Sequence, residues 1–229
     1  MKTSLSRGPH TPRKSKAVIF DMDGVIVDSE PRHERAFLAV AEEIGYGRKH
    51  GLRFADYIGR SDQELWKDFV AKHRPAQTLK ELLARKRAWT IEIIRREEPL
   101  FNGVERLLDR LTSRYTMALA SGSERPVVEA VLDLNNLRRF FAATVTDTDV
   151  EHGKPAPDIF LRAAALIRVA PRDCWVIEDS KPGIAAARAA GMRVVAITNT
   201  HPAAELRQAT HVVNSYAEIE RLLVDRDPD

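Results

Sequence analysis

From residue 115 onward, short apolar runs alternate with longer stretches in helical spacing. The runs are TMALAS (116–121), AATVT (142–146), CWVIED (174–179), RVVAIT (193–198) and HVVN (211–214), and KAVIFD (16–21) belongs with them. Runs this short, rich in Val and Ile and with little polar alternation, suit strands buried on both faces. Between them the spacing predicts helices over 124–134, 157–168, 182–190, 202–208 and 216–224, with Gly191 placed as the C-cap of the third. Strand followed by helix, repeated, predicts βα units around a doubly wound, mostly parallel, Rossmann-like α/β sheet.

Residues 31–98 follow another rule. PRHERAFLAVAEEIG, SDQELWKDFVAKH and LKELLARKRAWTIEIIRREE carry amphipathic helical spacing within dense charge, and no buried strand stands among them. An all-helical insertion therefore interrupts the sheet protein after its first strand, and PLFNG (99–103) marks the return crossing. The expected organisation is a disordered basic leader over 1–15, a core domain of 16–29 and 100–229, and a helical cap domain of 30–99. No internal repeat or heptad run is present.

Composition narrows the function classes. At 229 residues and 44% hydrophobic content the chain can bury a large core, which excludes global disorder. Its 36 basic residues are matched by 33 acidic ones spread along the chain, which argues against nucleic-acid binding. MKTSLSRGPHTPRKSK is basic but has no apolar h-region, so it does not read as a signal peptide. No segment has the apolar length of a membrane span, and a cytoplasmic location is expected. Cys174, the one cysteine, lies in the apolar run CWVI and reads as a small core residue. No exposed apolar stripe stands out, which predicts a monomer.

Candidate chemistry begins where the first apolar run ends. FDMDGVIVDSE (20–30) passes from a buried strand into Asp21 and Asp23, then Gly24, then Asp28. Aspartates weaken strands and are costly to bury without a positive partner. In open α/β sheets ligands bind beyond the carboxyl ends of the strands, and there the sequence also places Ser121, Lys154, Glu178 and Asp179. Carboxylates converging on one edge repel one another and call for a neutralising cation. Lys154 supplies one charge; oxygen-only ligands suit Mg2+, and no Cys or His cluster points to zinc. A magnesium held by Asp21, Asp179 and Glu178 would leave room for a phosphate group meeting Lys154 and the Ser121 hydroxyl. The expected ligand is a small phosphate ester or anhydride.

DMDGVIVDSE, ALASGS, GKPAPDIF and VIEDSKPGI together resemble the four motifs of the haloacid dehalogenase (HAD) superfamily, in order and over residues 17–215. The resemblance is to its subfamily of phosphatases and phosphomutases with a small helical cap. It implies Asp21 as nucleophile, Asp23 as general acid and base, Ser121 and Lys154 as phosphate contacts with Gly122 and Ser123 beside them, and Glu178 and Asp179 around the metal. It also implies that the main-chain carbonyl of Asp23 joins Asp21 as a ligand of Mg2+. Asp23 stands where the family's dehalogenases lack an aspartate, which favours phosphoryl chemistry.

IGRSDQELW (58–66) resembles the family's cap loop, with Gly59 and Ser61 fitting its substrate-facing pattern. In the family's β-phosphoglucomutases an arginine follows that serine; here the residue is Asp62. His33 and Lys86 do match the mutase pattern. Each has a plainer reading: Ser61 with Glu64 forms a capping box, Ser123 caps a helix, Glu178 supports rather than binds the metal, and Lys86 lies in a charged run on a solvated face. The expected activity is Mg2+-dependent hydrolysis of a small phosphorylated metabolite such as a sugar phosphate. A phosphomutase, or a non-enzymatic phospho-acceptor module on the same kind of sheet, are the alternatives.

Overall fold

Each of the six apolar runs forms a strand, somewhat shorter than the run itself: β1 (Ala17–Phe20), β2 (Thr116–Ala120), β3 (Ala143–Val145), β4 (Cys174–Glu178), β5 (Arg193–Ile197) and β6 (His211–Val213). The computed structural model describes residues 16–57 and 62–225. All strand pairs are parallel, in the order β3-β2-β1-β4-β5-β6. β1 is therefore central, with Ile19 between Ala118 of β2 and Val176 of β4. The order reverses direction at β1, and the crevice at such a switch point is where α/β sheets bind ligands.

The strands alternate their side chains between two apolar layers. Val18, Phe20, Leu119 and Ile177 pack on one side with α4 (Val104–Thr112), α5 (Arg125–Asp133) and α8 (Tyr216–Glu220). Ile19, Ala118, Ala120 and Val176 pack on the other with α6 (Asp158–Ile167) and α7 (Lys181–Ala189). Ala17, Ala118, Ala120 and Ala196 make this second face rich in small residues. Cys174 is buried in that layer, as its apolar run predicts.

Two expectations need correction. The segment 202–208 is not a helix but one 3-10 turn, Ala203–Glu205. Its return to β6 takes the remaining residues: Leu206 is buried against the sheet, and the Thr210 hydroxyl accepts the Val194 amide at 3.0 Å. Conversely, α4 forms directly after PLFNG, where the sequence carries only a linker signal. Its Val104, Leu107, Leu108 and Leu111 repeat at helical spacing and are buried, but Pro99 and Gly103 just ahead of them dominate the local sequence.

The segment between β1 and α4 holds α1 (Glu30–Glu43), α2 (Asp62–His73) and α3 (Leu79–Glu97), with no strand among the described residues. Thr78 and Glu81 form a reciprocal capping box that starts α3. Phe37, Val40, Leu65, Trp66, Phe69 and Leu82 form a core of their own for the three helices. Both connections to the sheet run side by side: the Asp28 amide donates to Pro99 O at 2.9 Å and the Phe101 amide to Ile26 O at 3.2 Å. Among the described residues no helix is long and apolar enough to cross a membrane. The leader over 1–15 lies outside the described residues.

Candidate active site

Asp21 leaves β1 without leaving the ladder, since its amide donates to Ile177 O at 3.0 Å. The chain then folds tightly, with the amides of Val25, Ile26 and Val27 all directed at Met22 O, at 3.2, 2.7 and 3.1 Å. Gly24 takes φ +75°, and a Cβ there would lie 1.9 Å from Asp179 Oδ2. Glycine is needed at that position both for its dihedral and for the approach of the Asp179 carboxylate just beyond β4. Asn199 donates to Gly24 O at 2.8 Å and the Tyr216 hydroxyl to Val25 O at 2.7 Å, pinning the turn from outside.

Glu178 ends β4, fully buried. Its Oε2 accepts the Asp179 amide at 2.7 Å, the Ser180 amide at 2.7 Å and the Ser180 hydroxyl at 2.9 Å. Lys154 Nζ donates to Glu178 Oε1 at 2.7 Å and to Asp21 Oδ1 at 2.6 Å, drawing together loops 24 and 133 residues apart in sequence. Carboxylate oxygens of Asp21, Glu178 and Asp179 lie within 4.8 Å of one another.

The electrostatics follow from this crowding. Burial pushes the Asp21 carboxyl up to about 7; the Glu178 and Asp23 charges add to the rise, while the Lys154 ammonium opposes it. Burial and the charges of Glu178 and Asp21 likewise hold Asp179 well above the usual carboxylate range. Lys154 is desolvated, but the two carboxylates outweigh this and raise its proton affinity.

Asp23 behaves in the opposite way. Burial would raise it, but His33 with Nε2 at 3.7 Å and the hydroxyls of Ser29 and Ser123, which donate at 2.6 and 2.7 Å, hold it below the usual carboxylate range. Ser121 Oγ donates to Asp23 Oδ2 at 3.3 Å and accepts the Ser123 amide at 3.0 Å. The serine loop after β2 is thus fastened to Asp23. Ser123 does not cap a helix: α5 begins after Glu124 with no side-chain cap, and the Ser123 hydroxyl is taken by Asp23. Gly122 and Ser123 line the cavity above these groups, whereas Ser121 is buried beneath them.

That cavity measures about 630 Å3 and is closed on its far side by residues of α1, α2 and α3. His33 and Asp62 both line it. Lys86 does not sit on a solvated face as its neighbours Arg85 and Arg87 suggest; it is 2% exposed, and its Nζ donates to Asp62 Oδ2 and meets His33 Nδ1. Arg87 pairs with Glu124 at the start of α5, a contact between the inserted helices and the sheet layer. Gly59 and Ser61 lie outside the described residues.

Asp28, the third carboxylate of the opening stretch, stays apart from the cluster and pairs with Arg32 at 2.7 Å beside the linkers. Several contributors carried no signal of their own in the sequence. Ser29 and Thr200, whose hydroxyl donates to Asp179 Oδ2, are small polar residues in loops. At Gly183 a Cβ would lie 1.6 Å from Glu178 Oε1; the only hint was a glycine in the first turn of a helix, an unfavourable place for it without a packing reason.

Comparison with known proteins identifies the family. The haloacid dehalogenase-like hydrolase family model matches residues 15–191. The fructose-1-phosphate phosphatase YqaB of Escherichia coli is 36% identical over 183 residues, 78% of this chain and 94% of that enzyme. The β-phosphoglucomutase of Bacillus subtilis is 34% identical over 203 residues, 82% of this chain and 85% of the enzyme. A crystal structure of a putative β-phosphoglucomutase from Thermotoga maritima superposes with a TM-score of 0.75 at 28% identity, covering 92% of this chain and 99% of that one. Sequence, fold and buried acidic cluster thus lead to one assignment: this chain belongs to the haloacid dehalogenase-like hydrolases, the phosphatases and phosphomutases among them.

Proposed function

We propose that the protein is a Mg2+-dependent phosphatase of small phosphorylated sugars, working through an aspartyl phosphate on Asp21. One observation carries the proposal: Lys154 joins Asp21 to Glu178 inside a cluster of three buried carboxylates, directly beside a fourth, Asp23, whose proton affinity is shifted in the opposite direction.

The donor set fits a hard divalent cation. It is oxygen only, and the raised proton affinities of Asp21 and Asp179 come from burial first and from neighbouring negative charge second, both of which a dication would offset. Asp21, Asp179 and Glu178 would hold Mg2+ together with the Asp23 main-chain carbonyl. When bound, the ion neutralises charge between the phosphate and its attacker.

The protein's own groups account for the remaining chemistry. Asp21 attacks phosphorus, the bond to the ester oxygen breaks, and Asp23 gives that oxygen its proton. Lys154 offsets charge on the transferring phosphoryl group while keeping Asp21 oriented. Asp23 is held ionised by His33, Ser29 and Ser123, and the arrival of an anionic phosphate opposes that bias and favours the protonated acid. In the second step water attacks the aspartyl phosphate, Asp23 takes its proton, and inorganic phosphate is released. The inserted helices act as a lid that closes the cavity against bulk water.

A second reading, a phosphomutase, is favoured by His33 and Lys86 and by the similarity to the Bacillus subtilis enzyme. Phosphate release from p-nitrophenyl phosphate and fructose 1-phosphate, with and without Mg2+, tests the proposal. Release that requires Mg2+ and vanishes in Asp21→Asn supports hydrolysis. Conversion of β-glucose 1-phosphate with its bisphosphate into the 6-phosphate, without phosphate release, would replace it with the mutase.

A further inference from the structure

The cavity has two unlike walls. The sheet edge is built to hold one phosphate, with Lys154 and the acidic cluster at its base. The facing wall, from the inserted helices, contains cations, but among the described residues those that approach the cavity are already matched. Lys86 is buried behind Asp62 and bound to its Oδ2, and Arg87 is paired with Glu124. Glu30 adds another carboxylate to the same wall.

Asp62 is the part of this arrangement that a ligand can touch. It lines the cavity and its side chain is 41% exposed, while Lys86, at 2%, is hidden. Lys86 thus anchors the carboxylate from behind through Oδ2, and among the described residues Oδ1 has no partner and can act as an acceptor. A carboxylate fixed in this way accepts hydrogen bonds from hydroxyl groups and repels a second anion. The cost of burying Lys86 is offset by the Asp62 charge, so the lysine has little left to offer an incoming phosphate.

We infer that Asp62 is a specificity-determining residue, selecting monophosphates whose far end is a neutral polyhydroxyl chain or ring and rejecting those whose far end carries a second phosphate. The inference rests on the phosphatase reading above and deepens it by naming the substrate class. It also bears on the fate of the phosphoryl group, because return to a second position of a sugar passes through a doubly phosphorylated species that this wall disfavours.

The test compares wild type, Asp62→Asn and the double variant Asp62→Asn/Lys86→Met. Three probes are used: fructose 1-phosphate as polyol monophosphate, p-nitrophenyl phosphate as generic ester, and fructose 1,6-bisphosphate as competitor. Asp62→Asn is expected to lower the ratio of kcat/KM for fructose 1-phosphate to that for p-nitrophenyl phosphate by about tenfold, mostly through KM, as the loss of a charged hydrogen-bond acceptor would. It is also expected to strengthen inhibition by the bisphosphate by about tenfold, since the Lys86 charge is no longer cancelled. The double variant removes the pair as a unit, which avoids leaving a buried lysine unpaired. There the ratio should stay low while the gain in bisphosphate inhibition disappears. A ratio and an inhibition constant in Asp62→Asn both within about twofold of wild type would overturn the inference. Failure of the wild type to hydrolyse any of the esters would instead remove the phosphatase reading itself.

Discussion

The sheet edge and the helical wall face each other across one cavity, yet charge is organised differently in each. At the sheet edge, carboxylates outnumber cations and are packed until two of them resist ionisation. On the helical wall, Lys86 and Arg87 are each matched to a carboxylate, and the wall faces the cavity with acceptors. An unbalanced cluster stores a demand for an ion and suits chemistry; a balanced one sets shape and hydrogen-bonding pattern and suits recognition. The contrast teaches that the two halves can be altered independently.

The largest effect should come from the chemical side. Asp21→Asn removes the proposed nucleophile and should cut turnover of any phosphate ester by about 10⁴-fold or more, as losses of a covalent nucleophile do. The fold should survive, because the change also removes a crowded buried charge. Steady-state phosphate release and circular dichroism on the same sample check both halves.

Next, Gly183→Ala drives a methyl group toward Glu178 Oε1, the oxygen that Lys154 holds. Displacing this pair should lower kcat by about 10²-fold and stability by about 2 kcal/mol, the usual scale of overpacking. Thermal unfolding and turnover read the two. Retention of both would mean that Glu178 has room the packing denies it.

A smaller effect is expected on the recognition side. Lys86→Met leaves Asp62 without its anchor and should cost about 1–3 kcal/mol of stability, discounted for the partial exposure of Asp62. Added to Asp62→Asn, the same change should cost much less, and a double-mutant cycle on unfolding measures the difference.

The gentlest probe is pH. Asp21 and Asp179 are harder to ionise folded than unfolded, so the folded state binds more protons between about pH 4 and 7. Stability of the metal-free protein should therefore fall as pH rises through that window. Asp23 has the opposite shift; its contribution is complete above its unfolded value near 4 and is lost only below it, so it does not offset the decline. Unfolding in chelator at several pH values should show the slope, Asp21→Asn should flatten it, and Mg2+ should stabilise more at the upper end.

Legibility in sequence follows the same division. The strands and their order-independent chemistry were readable because Asp21, Ser121, Glu178 and Asp179 each break an apolar run at its carboxyl end, a conflict with local preference that points to function. Lys86 stood out only through the resemblance to the mutases, and its burial was not legible: in ARKRAW, three basic residues within a helix give no sign that the middle one turns inward. Its burial depends on Asp62 and His33, 24 and 53 residues away, and no local pattern encodes such a meeting. The helix expected over 202–208 failed because the tertiary contacts of Leu206 and Thr210 outweighed local propensity. Ser29, Thr200 and Gly183 matter through a single contact each, which only the fold creates.

The central claim, that Asp21 carries the phosphoryl group, is tested most directly by trapping it. Enzyme mixed with Mg2+ and fructose 1-phosphate is quenched in acid within one turnover, and its peptides are mapped by mass spectrometry, with borohydride reduction to mark acyl phosphates. The account predicts that the peptide containing residues 20–30 is phosphorylated before reduction, that borohydride releases this phosphate and leaves homoserine at position 21, and that neither product forms in Asp21→Asn. Turnover with no trapped phosphoenzyme at any quench time, or a phosphoryl group on another residue, would contradict it.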